Sequence, residues 1–261
     1  MTNQRIHITG CPRSGTTLLV EMMRTCFVCH NFAEHETSLL RPVPAFDGLL
    51  ITKQPGETFL LPRLLALDPN LGAIHIMRDP RSVLSSKHAD APDLYATHFG
   101  LWRESRHAAE SLRGHPRFLP LRYEDLVSDP DAVQDKIRKF FPALSRRRSF
   151  SDFHKFAAAS GDALAALNGL RPVSAVGIAA WQRHLPRIKQ QVAEHPDLLD
   201  ALVECGYEPD RSWVSQLDNV PREQHRCWLP ERGHIFKRLD RWLRWERKIR
   251  NYARALRHGN R

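Results

Sequence analysis

Gly10-Cys11-Pro12-Arg13-Ser14-Gly15-Thr16-Thr17 decides how this chain is read. It follows Arg5-Ile6-His7-Ile8-Thr9, an expected strand, and precedes Leu18-Leu19-Val20-Glu21-Met22-Met23, an expected helix. A glycine-bearing turn in that context points backbone N–H groups at an anion from a helix N-terminus. The matching pattern is the phosphate loop G-x-x-x-x-G-K-[ST], whose lysine reaches the β- and γ-phosphates of a nucleoside triphosphate and whose hydroxyl holds Mg²⁺. Gly10, Gly15 and Thr17 fit it. Thr16 stands where the lysine belongs, and Arg13 supplies a cation inside the loop. Taken alone, the stretch also reads as an ordinary tight turn.

Further along, Gly72-Ala73-Ile74-His75-Ile76-Met77 is an apolar run suited to a buried parallel strand. Arg78-Asp79-Pro80-Arg81 breaks it before a helix expected near Ser82. Because α/β sheets bind ligands at the C-terminal ends of their strands, Arg78 and Ser86 are expected to converge on one anion. The guanidinium fork would come from the strand end and the hydroxyl from the following helix. The alternative is a loop arginine paired with Asp79 or another carboxylate.

With 261 residues, 42% of them hydrophobic, the chain can bury a sizeable core, and it has no apolar run long enough for a membrane span. Strands are expected near 5–9, 49–52, 73–77 and 117–121. Helical patterns fall between them, among them 92–113, 129–140 and 178–192. Alternating strands and helices predict an α/β fold with a central parallel sheet covered on both faces.

These residues resemble the sulfotransferases that use 3′-phosphoadenosine 5′-phosphosulfate (PAPS), particularly the bacterial and Golgi-type branch acting on glycans and tyrosines. Four segments carry the resemblance, in the family's order, from residue 5 to about 208. Cys11 to Thr17 looks like the 5′-phosphosulfate loop. Arg78 to Ser86 looks like the 3′-phosphate segment, with Arg78 and Ser86 at the family's spacing. Tyr123-Glu124-Asp125-Leu126 is similar to the Tyr-Glu-Asp segment beside the nucleotide. Arg171-Pro172-Val173-Ser174-Ala175-Val176-Gly177, followed by Trp181, resembles the late closing loop, though its spacing departs from the cytosolic enzymes.

The resemblance implies a P-loop-like three-layer fold, with residues 1–208 as the sulfotransferase domain. PAPS would be the co-substrate and no metal would be required. Arg13, Ser14, Gly15, Thr16 and Thr17 would hold the 5′-phosphosulfate, and Arg78 and Ser86 the 3′-phosphate. Tyr123 would lie near the adenine, and Arg171 and Gly177 would belong to the closing loop. Independently, sulfuryl transfer moves less charge than phosphoryl transfer, so arginines, a lysine and backbone amides suit it without Mg²⁺.

Deprotonating an alcohol calls for a positioned general base. Asn31 to Arg41 form a polar cluster containing Glu34, His35 and Glu36. Glu36-Thr37 resembles the catalytic Glu-Thr of the tyrosylprotein branch, which makes Glu36 the first candidate, with Glu34 and His35 behind it. Lys53 matches a lysine that recurs in this branch and would neutralise the departing oxygen. Arg13 completes the candidate catalytic set.

The formal net charge is +10, and residues 232–261 hold eleven basic and two acidic side chains, so nearly all the excess lies in the tail. Residues 209–261 read as a basic, Trp-rich extension. Ile235, Leu239, Trp242, Leu243, Ile249 and Leu256 recur at helical spacing among arginines. Such a helix could lie on an anionic membrane, grip an acidic glycan, or dock on its own domain. Nucleic acid is not expected, since no binding module is recognisable.

The expected strand begins almost at once after Met1 with no signal peptide, which predicts a cytoplasmic, bacterial protein, peripheral at the inner membrane face if the tail attaches there. Five cysteines without framework spacing agree with a reducing compartment. Cys26-Phe27-Val28-Cys29-His30 matches a haem-attachment pattern, but buried thiols at a helix end are the expected reading. The branch resemblance and the tail favour a glycan or glycolipid hydroxyl as acceptor, with peptide tyrosine behind. The rivals are a P-loop kinase, against which Thr16 argues, and a non-catalytic nucleotide- or polyanion-binding protein.

Overall fold

Five strands run parallel in the order β2-β3-β1-β4-β5: β1 (Gln4–Gly10), β2 (Asn31–Phe32), β3 (Leu49–Lys53), β4 (Leu71–Met77) and β5 (Phe118–Arg122). The structure is a computed structural model describing residues 4–29, 31–33, 36–41, 46–88, 90–229 and 235–259, with side chains of the last segment described for 243–257. β1 is central, flanked by β3 and β4. Its two faces differ. Ile6 and Ile8 join α1 (Thr16–Cys26) in an apolar cluster with Leu19, Met22, Met23, Ile74 and Ile76. Arg5, His7 and Thr9 alternate with them and are equally buried, each held by at least one side-chain hydrogen bond, though His7 Nε2 has no partner among the described residues. Arg5 Nε donates to Thr52 Oγ1 at 2.9 Å, and Thr9 Oγ1 meets Thr58 Oγ1 at 3.2 Å.

α1 connects β1 to β2, α2 (Leu61–Leu67) carries the chain from β3 to β4, and α3 (Pro80–Leu84) and α4 (Phe99–Glu110) lead on to β5. After β5 come α5 (Tyr123–Ser128), α6 (Pro130–Phe140), α7 (Gly161–Leu167), α8 (Leu185–Glu194), α9 (Leu198–Glu204) and α10 (Ile235–Gly259). All four expected strands are present, and a two-residue edge strand, β2, extends the sheet beyond β3. Three expected helices are altered. The one placed at 92–113 begins only at Phe99, because Tyr95 is held in bridges to Lys87 and Cys227 and His98 is extended. The one at 178–192 is a 3₁₀ stretch, Ala175–His184, that becomes α8 at Leu185, where Pro186 occupies the first turn. The helix expected near Ser82 is five residues long, so Ser86 lies just beyond it and offers its hydroxyl from a turn, not from a helix.

The basic tail is docked. Ile249 is 4% exposed in a cluster with Leu39, Leu60, Leu61, Leu64 and Leu71, and Trp245 and Tyr252 pack against the same cluster. Tyr252 donates to Asp68 at 2.6 Å, Arg63 pairs with Glu246, and Phe59 meets Trp245 edge-on at 5.4 Å. The spacing 245, 249, 252 is one helical stripe, so the apolar face lies against the protein's own flank.

Candidate functional site

The pairing of β1 with β4 puts Gly10 opposite Ile76, so the loop after β1 and the strap after β4 leave the sheet side by side at its C-terminal edge. A Cβ on Gly10 would stand 2.4 Å from the Ile76 carbonyl oxygen, which makes glycine obligatory at that approach. Two residues of the loop adopt left-handed backbone, Arg13 at φ 75° and Gly15 at φ 99°. For a non-glycine residue that conformation costs about 1–3 kcal/mol and persists only where the surroundings impose it. Gly15 is the N-cap of α1 and makes no side-chain cap, leaving the first N–H groups of the helix available. A Cβ there would also stand 2.4 Å from the Tyr123 ring.

Tyr123 in turn supports the second cation. The Arg78 guanidinium lies 4.1 Å over that ring, and one of its N–H groups donates to the Arg13 carbonyl at 3.3 Å. Arg13 Nε donates to Ser86 Oγ at 2.7 Å. Arg13, Arg78 and Ser86 are therefore assembled from two loops. Burial and the neighbouring Arg78 push the Arg13 guanidinium below its ordinary value. Neither arginine has a carboxylate partner among the described residues, and the buried Nε of Arg78 and Oγ of Ser14 have no hydrogen-bond partner there. Two close guanidiniums and an orphan hydroxyl beside a helix N-terminus fit a phosphate or sulfate group.

Arg81 takes the role that Arg78 avoids. It is 3% exposed, holds Asp79 through Nε at 3.1 Å and through NH2 at 2.8 Å, and pairs with Glu208. The rings of Trp181 and Trp213 lie 4.1 and 4.9 Å from its guanidinium. The Asp79 N–H donates to Glu124 at 2.9 Å. Thus Asp79, Arg81 and Glu124 fix the strap, and Arg78 is left for an anion. Sequence reasoning gave Arg81 and Glu124 no function of their own; the only signal was their place within Arg-Asp-Pro-Arg and Tyr-Glu-Asp.

On the other side of the loop, Lys53 at the end of β3 donates to Thr17 Oγ1 at 3.0 Å and lies 3.4 Å from Glu36 Oε1. Gln54 Nε2 donates to Glu36 at 3.1 Å. Glu36 and Lys53 are thereby brought to the α1 end of the loop, while Glu34, His35 and His30 lie outside the described residues. Thr16 is buried. Glu21, one turn beyond Thr17, was not singled out; it is 4% exposed, its Oε2 has no hydrogen-bond partner, and burial raises its carboxyl above the ordinary value against the pull of Arg24 and Lys53.

Arg171 and Gly177 are not brought into this group. Arg171 donates to the Asn168 carbonyl at 3.2 Å, both are exposed, and open space surrounds Gly177. The segment meets the strap further along, where the Ser82 hydroxyl donates to the Ile178 carbonyl at 3.0 Å and Trp181 lies against Arg81. Cys26 donates to the Ser149 carbonyl and Cys29 to that of Asn31, and burial pushes the Cys26 thiol up to about 11.

A family model described as "Sulfotransferase family" matches residues 25–142, the stretch that holds Glu36, Lys53, Arg78, Ser86 and Tyr123. The omega-hydroxy-beta-dihydromenaquinone-9 sulfotransferases of Mycobacterium tuberculosis (strain CDC 1551 / Oshkosh) and Mycobacterium bovis (strain ATCC BAA-935 / AF2122/97) are each 24% identical over 198 residues. That alignment covers 67% of this chain and 42% of theirs, so the chain spans under half the length of these relatives. Among solved structures, the sulfotransferase domain of the Synechococcus PCC 7002 olefin synthase aligns with a TM-score of 0.52 and 21% identity, covering 69% of this chain and 87% of that one. The sulfotransferase domain from the curacin biosynthetic pathway aligns with 0.51 and 17% identity, covering 69% and 91%. The fold is shared with these domains, and residues 25–142 are similar to the sulfotransferase family.

Proposed function

We propose that the protein transfers the sulfuryl group of PAPS to a hydroxyl of a glycan, glycolipid or similar acceptor. The observation that carries this reading is the pair of carboxylate-free guanidiniums, Arg13 and Arg78, converging with Ser86 and the N-terminus of α1. PAPS carries phosphate at both ends of its ribose, and this arrangement suits two anions a few ångströms apart. The backbone of Arg13 to Thr17 cradles the 5′-phosphosulfate, Arg78 and Ser86 take the 3′-phosphate, and Tyr123 stands beside both.

In the transfer step the acceptor oxygen forms its bond to sulfur as its proton passes to Glu36. The bond from sulfur to the 5′-phosphate oxygen breaks, leaving its electron pair on 3′,5′-ADP. Lys53, held by Thr17, neutralises that oxygen. A hydroxyl acceptor is supported by the mycobacterial relatives, which are named for an omega-hydroxy compound. Arg171 and Gly177 join the nucleotide only through movement of their exposed segment. All five cysteines are free, which suits a cytoplasmic location. No described helix is long and apolar enough to cross a membrane, and the tail favours peripheral contact with an anionic surface.

The test is nucleotide discrimination. Titration calorimetry should give at least tenfold tighter binding of 3′,5′-ADP than of 5′-AMP, and Arg78→Ala should erase most of the gap, since a charge-assisted pair at a desolvated site is worth about 2 kcal/mol. Equal affinities, or Mg²⁺-dependent ATP binding in their place, would overturn the reading.

A further inference from the structure

Docking of α10 through Trp245, Ile249 and Tyr252 leaves the opposite side of its described length to solvent. Arg247, Arg250, Arg254 and Arg257 are all exposed there, at the 3–4 residue spacing of a single helical face. Glu246, the one acidic residue between 243 and 257, is already neutralised by Arg63. The helix runs beside α2: Trp245 meets Phe59, Glu246 meets Arg63, and Tyr252 meets Asp68. Those contacts advance together in sequence, so α10 is parallel to α2 and its N-terminal end points toward the edge of the sheet that carries the phosphate loop.

The same flank carries exposed apolar side chains. Phe59 is 46% exposed beside Trp245, Leu243 is 52% exposed on α10, and Leu67 is 42% exposed at the end of α2. Polyphosphate and acidic-glycan surfaces reward the arginines and gain nothing from these three residues. An anionic bilayer rewards both, taking the arginines at the headgroup phosphates and the short apolar side chains at the acyl boundary. Insertion through Trp245, Ile249 and Tyr252 is excluded, because those side chains are packed on the protein's own core.

We propose that the α2–α10 flank is a membrane-adsorbing face that binds anionic lipid headgroups side-on, with α10 kept docked. This deepens the peripheral contact named above. It depends on the cationic flank, not on the transfer reaction, and it fails or stands independently of nucleotide binding.

The experiment is flotation of the full chain with phosphatidylcholine vesicles containing or lacking phosphatidylglycerol. Binding should require the anionic lipid and weaken steeply as salt rises. Combined Arg247→Glu, Arg250→Glu and Arg254→Glu substitutions should weaken it roughly a hundredfold or more, with thermal midpoint and 3′,5′-ADP affinity unchanged. Phe59→Ser and Leu243→Ser should weaken vesicle binding without altering retention on heparin. Equal binding to both vesicle types, vesicle binding unaffected by the three charge reversals, or retention on heparin or RNA with no vesicle binding would each overturn the proposal. Loss of 3′,5′-ADP binding by the wild-type chain would instead count against the transfer reaction.

Discussion

The Arg78 guanidinium is stacked 4.1 Å above the ring of Tyr123, and the same ring closes the space beside Gly15. One side chain therefore sets the position of the cation in the strap and the path of the phosphate loop. Tyr123→Leu removes the π-face and keeps much of the apolar bulk. It should weaken 3′,5′-ADP binding by roughly 2- to 30-fold, the equivalent of about 0.5–2 kcal/mol for a cation–π contact. Tyr123→Phe should bind nearly as wild type in the same calorimetric titration. If Phe is as damaging as Leu, the hydroxyl and not the ring face matters.

Glu36 and Lys53 form a second coupled pair, 3.4 Å apart. If Glu36 accepts the acceptor's proton, Glu36→Gln should lower kcat by roughly 10²–10⁴ while leaving 3′,5′-ADP affinity little changed. Lys53→Ala should slow turnover as well, and it frees Thr17 Oγ1 from its present donor. Single-turnover rates at saturating PAPS with a genuine acceptor measure both. A near-wild-type rate in Glu36→Gln would remove Glu36 from the chemistry and pass the role to Glu34 or His35.

Much of this was legible in the sequence because β3 and β4 are nearly continuous apolar runs and the two anion segments sit at strand ends. β2 was not, since two residues at a sheet edge carry no periodicity. The division of labour between Arg78 and Arg81 was hidden too. Arg78 was expected at the anion, with pairing to Asp79 as the alternative, and only the packing of Trp181 and Trp213 around Arg81 shows that Arg81 is the one held by Asp79. Tyr123 was expected near the adenine; its contact with the phosphate loop was not legible, because it depends on β5 lying next to β4. The fate of the tail was equally hidden, because one amphipathic pattern suits a membrane, a glycan and a docking site alike.

His75 connects the fold to pH. Its Nε2 meets Ser105 Oγ at 3.1 Å, and Ser105 meets Thr58 at 3.0 Å. Burial pushes the imidazole down to about 4 from an ordinary 6.5. Between those values the unfolded chain takes up a proton that the folded chain refuses. The contribution is therefore complete above pH 6.5, declines as pH falls through that window, and levels off below 4. It amounts to about 3 kcal/mol at full extent. His7, buried and also lowered, adds in the same direction. Urea midpoints at pH 7, 5.5 and 4.5 should fall more steeply for wild type than for His75→Gln, and equal slopes would refute the assignment.

Docking of α10 makes a stability prediction that a loose tail would not. Ile249 is buried among Leu39, Leu60, Leu61 and Leu71, so Ile249→Ala should cost about 2–5 kcal/mol through lost burial and the cavity left behind. Tyr252→Phe removes the hydrogen bond to Asp68 and should cost about 0.5–1.5 kcal/mol. Deleting residues 232–261 should go further, uncovering the leucines of α2 and lowering the denaturation midpoint of the remaining domain. An undocked tail predicts the reverse, with all three variants as stable as the full chain. Chemical denaturation followed by tryptophan fluorescence separates the two, because a docked helix shifts the midpoint of the whole molecule in one transition, whereas an undocked one leaves it where it was.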